Sequence, residues 1–177
     1  MGDLWVFGYG SLMWRPGFDA AETARARIHG YRRALCVRSH VHRGTPERPG
    51  LVLGLDRGGS CIGIAFRVER DAREPVLAYL RDRELVTNVY VERLLPARLD
   101  DGRRIEAVSY VVDRGHVQYA GAITPADAAA TVSDAAGISG RNPDYVFNTV
   151  GHLTDLGIRD HWLEHVAALV RSRPGRP

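Results

Sequence analysis

The apolar positions of this chain come first in short runs and only later at helical spacing. Leu4-Trp5-Val6-Phe7 is a run of strand length, closed by Gly8-Tyr9-Gly10-Ser11 into a loop that continues through Trp14-Arg15-Pro16-Gly17. Ala24 to Tyr31 and Arg32 to Ser39 predict two strands around Gly30. His40 to Gly50, with two prolines and two glycines, predicts a loop. Leu51 to Leu55 and Cys61 to Val68 predict a hairpin across the turn sequence Asp56-Arg57-Gly58-Gly59.

The period then changes. Pro75 suits a first helical turn, and Val76, Leu77 and Leu80 follow at helical spacing. Val89 to Leu99 and Ile105 to Val112 predict two more strands joined by Asp100-Asp101-Gly102-Arg103. Pro125 to Ala136, Asp144 to Leu156 and Asp160 to Val170 predict helices, punctuated by Gly137 and Gly140. Strands first and helices mainly later argue an α+β fold with a largely antiparallel sheet. No repeat or linker divides the chain, so residues 1–170 are expected as a single domain and 171–177 as a polar tail.

Composition narrows the chemistry. All 24 Lys-or-Arg side chains are arginine. A phosphate-cradling P-loop and a pyridoxal Schiff base both need lysine, so both classes are excluded. The net charge of +3 is small and the arginines are scattered, so no nucleic-acid partner is expected. No apolar run approaches the roughly 18 residues of a membrane span, and no signal-peptide pattern stands at the start, so a cytoplasmic protein without a membrane partner is expected. Gly2 does not begin a myristoylation motif, because position 6 is Val6. Cys36 and Cys61 lie in strand-like stretches without CxxC spacing and read as buried reduced thiols.

Three groups of residues are candidates for chemistry. The loop Gly8-Tyr9-Gly10-Ser11-Leu12-Met13 opens like a dinucleotide fingerprint, but Met13 replaces the third glycine and Pro16-Gly17 follow where a helix is required. What is left is either a plain turn or a nest of backbone N–H groups able to hold a carboxylate or an oxyanion. Leu77, Leu80 and Glu84 share one helical face, so Glu84 extends an apolar stripe. There it is either paired, with Arg83 or a distant arginine, or raised in pKa. His40-Val41-His42, with His29 upstream, lacks a third ligand at metal spacing, and Gly-Tyr-Gly-Ser-Leu is not a nucleophile elbow.

These residues resemble a known family. Val6 to Trp14 is similar to the opening signature of the ChaC-type glutathione-specific γ-glutamylcyclotransferases. Arg43 to Glu47, Pro49 to Leu53 and Gly63 to Arg67 resemble its next blocks. Tyr79 to Glu84 resembles the block bearing the family's catalytic glutamate, and Tyr119 to Gly121 and Ser139 to Tyr145 its later ones. The blocks stand in order from Leu4 to about Val170. Thr87-Asn88-Val89-Tyr90 departs from the pattern, since some members carry a glycine-richer turn there.

The resemblance implies a small mixed β-barrel with flanking helices and no metal or organic cofactor. It implies cleavage of glutathione to 5-oxoproline and Cys-Gly, with the glutamyl α-amine attacking its own γ-carbonyl and Glu84 as general acid and base. The N–H groups of Gly10, Ser11 and Leu12 would engage the glutamyl carboxylate or the oxyanion, and Tyr9 would wall the pocket. Tyr119 is either a substrate contact or a half-buried core tyrosine. Arg43 is either a partner for a substrate carboxylate or a solvated loop arginine. The alternatives are a cyclotransferase for another γ-glutamyl donor and a non-catalytic glutathione-binding regulator. The expected partner is a small molecule, and the expected state a monomer.

Overall fold

The structure is a computed structural model that describes residues 2–173. Five strands close into a barrel in the order β1-β3-β2-β4-β5, with β1 Leu4–Gly8, β2 Glu22–Ser39, β3 Gly50–Val68, β4 Tyr90–Leu99 and β5 Arg104–Val112. β1 runs antiparallel to β3 (Val6 opposite Phe66), β2 to β4 (Ile28 opposite Ala97) and β4 to β5 (Leu95 opposite Ala107). The seam is parallel, with Val6 of β1 opposite Val108 of β5. The barrel is therefore mixed and largely antiparallel, as expected. Closure removes the open edges that an antiparallel sheet of this length would otherwise expose.

Four helices accompany the strands: α1 Arg73–Glu84, α2 Pro125–Ser133, α3 Asn142–Asp155 and α4 His161–Ser172. α4 thus overruns the expected start of the polar tail by two residues. Residues 174–177 of that tail lie outside the described residues. A two-stranded ribbon, β6 Ala136–Gly137 with β7 Gly140–Arg141, stands between α2 and α3 along the chain. No helix among the described residues is long and apolar enough to cross a membrane.

The chain divides into two compact units, each discontinuous in sequence. The first contains residues up to 33 together with 54–116. Its buried side chains include Val6, Phe7, Ile28, Phe66, Leu99 and Tyr110, and the adjacent Val6 and Phe7 show β1 covered on both faces. The second contains 34–53 and everything from 117 onward. There α2 packs on α4 through small side chains, Ala128, Ala129 and Ala167, with Val132 and Val166 buried beside them. Thr124 caps α2 by accepting from the Asp127 N–H at 3.1 Å, and Asp160 caps α4 by accepting from Leu163 at 3.0 Å.

Two sequence expectations are corrected. Residues 24–39 do not form two strands around Gly30: they lie in one strand of 18 residues. Nor is Asp56-Arg57-Gly58-Gly59 a hairpin turn, because β3 runs through it for 19 residues. The cause is the same in both strands. Gly30 takes φ 87°, and Gly58 and Gly59 take φ 100° and 68°, conformations that signal a turn in sequence but here bend a strand without ending it. The bends lie abreast: a Cβ on Gly59 would sit 3.6 Å from that of Arg32. Asp56 is accordingly a buried anchor. Its side chain is 1% exposed and accepts from Arg114 Nε at 2.8 Å, from the Arg57 N–H at 2.8 Å and from Arg32 Nη2 at 3.4 Å.

Candidate active site

In the first unit, β1 ends at Gly8 and delivers Tyr9, Gly10, Ser11 and Leu12 into a short 3-10 helix, Ser11–Met13. The Met13 N–H closes on the Gly10 carbonyl at 2.9 Å and Arg15 N–H on the Ser11 carbonyl at 2.8 Å. The N–H groups of Ser11 and Leu12 stand at the start of that turn, ahead of its first internal bond. Tyr9 and Leu12 are buried and Ser11 is exposed, so the loop is anchored by its apolar side chains with its hydroxyl outward. Behind it lies Arg33, itself buried, whose Nε donates to the Tyr9 carbonyl at 2.6 Å and whose Nη2 donates to the Ile62 carbonyl at 2.7 Å.

α1 buries Val76, Leu77 and Leu80. Glu84, one turn beyond Leu80 on the same face, is the last residue of the helix, and its side chain is 18% exposed. Burial pushes its carboxyl above the ordinary 4.5, and the Arg83 guanidinium pulls weakly the other way. Arg83 Nε lies 3.4 Å from Glu84 Oε1, so Arg83 is the pairing partner the sequence allowed. The pair is long and incomplete, and desolvation prevails over it.

The same arginine reaches the loop. Its Nη2 donates to Ser11 Oγ at 3.0 Å, and its Nη1 to the carbonyls of Arg15 at 2.6 Å and Pro16 at 3.2 Å and to Tyr79 Oη at 3.1 Å. The chain thus brings the Tyr9–Leu12 segment and Glu84 to one guanidinium.

A second carboxylate near α1 has the opposite character. Glu92 on β4 accepts both Nε and Nη2 of Arg81 at 2.9 Å and the hydroxyl of buried Tyr110 at 3.1 Å, and Arg81 holds it below the ordinary value. Tyr110 is pushed up, first by burial and then by Glu92, with Glu84 adding a smaller push. Two carboxylates in one unit, one paired and held ionised and the other desolvated, are the arrangement from which acid–base roles are built.

The turn after Glu84 accounts for the departure noted in the sequence. Asn88 takes φ 57°, the left-handed conformation that a glycine adopts without strain. Asparagine tolerates it better than other side chains and takes the place of a glycine-richer turn.

Arg43 and Tyr119 belong to the second unit. Arg43 is half-buried: its Nη1 donates to the Arg141 carbonyl at 3.1 Å, and its guanidinium lies 5.6 Å from the centre of the Tyr145 ring. Tyr119 is also half-buried and forms an isolated antiparallel bridge with Val37. The Ser139 to Tyr145 block is tied to the start of β3. Asn142 accepts from the Leu51 N–H and donates to the Leu51 carbonyl, both at 2.8 Å, and Tyr145 Oη accepts from the Leu53 N–H at 2.9 Å. His42 Nδ1 lies 2.8 Å from Ser139 Oγ. Cys36 and Cys61 are buried thiols, as expected. Sequence reasoning missed Arg33 and the loop contacts of Arg83; the i, i+4 pair Tyr79 and Arg83 was the one local sign of the latter.

A mixed five-strand barrel with accompanying helices is the γ-glutamylcyclotransferase-like class of fold. A crystal structure of the yeast γ-glutamyl cyclotransferase specific to glutathione superposes with a TM-score of 0.83, covering 97% of this chain and 96% of that one at 22% identity, which establishes likeness of fold. The chain belongs to the ChaC-like protein family, whose model matches residues 4–173. Among its relatives, the glutathione-specific γ-glutamylcyclotransferase of Escherichia coli K12 is 34% identical over 96% of this chain and 74% of its own length. Glutathione-specific γ-glutamylcyclotransferase 1 of Homo sapiens is 32% identical over 94% of this chain and 77% of its own.

Proposed function

We propose that this protein is a glutathione-specific γ-glutamylcyclotransferase, releasing 5-oxoproline and Cys-Gly. The observation that carries the reading is Glu84: a half-buried carboxylate, raised in pKa by burial and linked through Arg83 to the loop that follows β1. That placement suits a group that must take up a proton and give it back near neutral pH. The family relatives, named for this reaction at about a third identity over nearly the whole chain, support the substrate.

In this reading Glu84 takes a proton from the substrate's α-ammonium. The freed amine attacks the γ-carbonyl carbon, closing a five-membered ring and placing negative charge on the carbonyl oxygen. As the C–N bond to cysteine breaks, Glu84 returns that proton to the leaving nitrogen; the ring nitrogen gives up its second proton in the same collapse, and the released amine takes it up to leave as an ammonium. Every atom of the products comes from the substrate, and the carboxylate is regenerated. Holding the glutamyl end folded makes the attack intramolecular, an effect worth up to ~7–11 kcal/mol in favourable cases.

The Gly10, Ser11 and Leu12 N–H groups are proposed to receive the oxyanion or the glutamyl carboxylate, with Tyr9 as the wall. Arg43 and Tyr119 are proposed on their chemistry as contacts to a substrate carboxylate and a polar substrate atom. A raised KM with unchanged kcat in Arg43→Gln and Tyr119→Phe is their test. A cytoplasmic setting is proposed, and the two buried thiols fit it.

The deciding experiment measures 5-oxoproline release from reduced glutathione by the protein and its Glu84→Gln variant. Turnover by the first and at least about a hundredfold loss in a folded second are expected. A folded wild type that yields no product from glutathione, but does so from another γ-glutamyl donor, would transfer the assignment to that donor. Binding of glutathione without turnover would make the protein a regulator.

A further inference from the structure

We propose that Arg83 is a positioning residue of this site: one guanidinium that fixes the register of the loop Ser11–Pro16 against Glu84. The inference rests on the reading of Glu84 as the acid–base group.

Arg83 uses its whole fork. Nη2 is spent on the Ser11 hydroxyl, Nη1 on the carbonyls of Arg15 and Pro16 and on Tyr79 Oη, and Nε faces Glu84 at 3.4 Å. The arginine side chain is 20% exposed, whereas its acceptors Ser11 and Tyr79 lie at the surface, so the fork is only partly sheltered from water. Tyr79 precedes Arg83 by one helical turn on the same face and bears against the far end of the loop. A Cβ on Gly17 would stand 2.0 Å from Tyr79 Oη, and Gly17 has φ 77°. A side chain at position 17 would therefore both clash and strain the backbone. Loop and helix end are joined by a planar, five-donor group whose geometry is rigid. An ammonium on a flexible stem cannot satisfy acceptors spread over this loop and helix at once.

Two consequences can be separated. The fork sets distance and orientation, which in intramolecular chemistry controls kcat; a displacement near 1 Å can cost ~10²-fold. The charge moderates Glu84, whose carboxyl burial would otherwise raise further. The other groups bearing on Glu84 are Tyr110 from β5 and, behind Tyr110, Glu92 of β4 neutralised by Arg81. None of these replaces the cation at Arg83.

The test is the pH profile of 5-oxoproline release for wild type, Glu84→Gln, Arg83→Gln and Arg83→Lys, with melting temperatures alongside. Arg83→Gln is expected to lose roughly ten- to a hundredfold in kcat and to move the acid limb of kcat/KM to higher pH. Arg83→Lys is expected to lose a similar factor in kcat while its acid limb stays at the wild-type position. Tyr79→Phe removes one acceptor without touching the arginine. It should lower kcat by a smaller factor, and the Tyr79→Phe, Arg83→Gln double variant should fall no further than Arg83→Gln.

Unchanged kcat in the Arg83 variants, beside an active wild type and an inactive Glu84→Gln, overturns this inference and leaves the proposed function standing. So does a loss that merely follows the melting temperature. No turnover by a folded wild type overturns both. Should Arg83→Gln fail to fold, Arg83→Lys and Tyr79→Phe decide the question on kcat alone.

Discussion

The Nε of Arg33, a residue only 8% exposed, donates to the backbone carbonyl of Tyr9 across 2.6 Å. In a trans peptide the carbonyl and the following N–H point in opposite directions. Drawing the Tyr9 oxygen toward Arg33 therefore turns the Gly10 N–H away from it. The orientation of that donor is set by a residue 24 positions along the chain. Arg33→Met would remove the charged donor from the Tyr9 and Ile62 carbonyls, at about 1–3 kcal/mol each. The expected result is a loss of several kcal/mol in urea unfolding. A loss below about 1 kcal/mol would show that water or a neighbour takes over both bonds.

The pKa of Glu84 also gives a signed prediction. A general base must be ionised in the free enzyme, so kcat/KM should rise with pH through a midpoint above the ordinary 4.5. Stability runs the other way. A carboxyl whose folded pKa is raised contributes stability that is present below its unfolded pKa and lost as pH rises through the folded value. Glu84→Gln should therefore melt at or above wild type in neutral buffer, with the gap closing in acid. A lower melting point for the variant at neutral pH would mean that the ionised carboxylate is a net stabiliser.

Asp56 lies at the bend of β3 with two arginines converging on it. Asp56→Ala leaves Arg32 and Arg114 without their buried anion and the Arg57 N–H without its acceptor. Asp56 is buried, but the Arg32 and Arg114 side chains are 40% and 45% exposed and can rehydrate, so the loss is about 1–3 kcal/mol, the cost of the broken charge-assisted hydrogen bonds. Denaturant unfolding should report that loss, whereas truncation of Asp82, which is exposed on the side of α1 opposite Leu80, should be nearly neutral.

Asn142 is fully buried and meets both backbone groups of Leu51, accepting one bond and donating the other. Asn142→Asp keeps the acceptor but sets a second oxygen against the Leu51 carbonyl. The variant should be strongly destabilised in mildly alkaline buffer and recover in mildly acidic buffer, where a protonated carboxyl can donate again. Melting curves at the two pH values check the sign. Equal destabilisation at both would show that the carboxyl is not the cause.

Local patterns in the sequence led to the right elements wherever the governing contacts were local. The stripe Leu77, Leu80, Glu84 placed the glutamate on the buried face of α1, and the glycines after Phe7 marked the loop. Reading failed where glycine had two meanings. At Gly30 and at Gly58-Gly59 a positive φ bends a strand that remains paired, and one sequence cannot distinguish that from a reversal. It failed again where the partner is remote. The bond from Arg83 to Ser11 spans 72 positions and that from Asn142 to Leu51 spans 91, so neither leaves a periodic trace. The family blocks around Tyr9 and Asn142 were visible as motifs; their physical purpose was not.

The parallel seam of the barrel has a consequence for the order of events during synthesis. β1 is made first, yet one of its two neighbours is β5, and Val6 waits for Val108. A nascent chain leaving the ribosome before residue 112 carries β1 with one side unsatisfied, and β4 lacks the partner that will cover its own. Closing a loop of this length costs entropy that only the finished seam, including the Ser109 hydroxyl on the Phe7 carbonyl, returns. The barrel is thus an all-or-none product that waits for residue 112 of the 177, and a translation stall before β5 would yield an aggregation-prone intermediate instead of a smaller working protein.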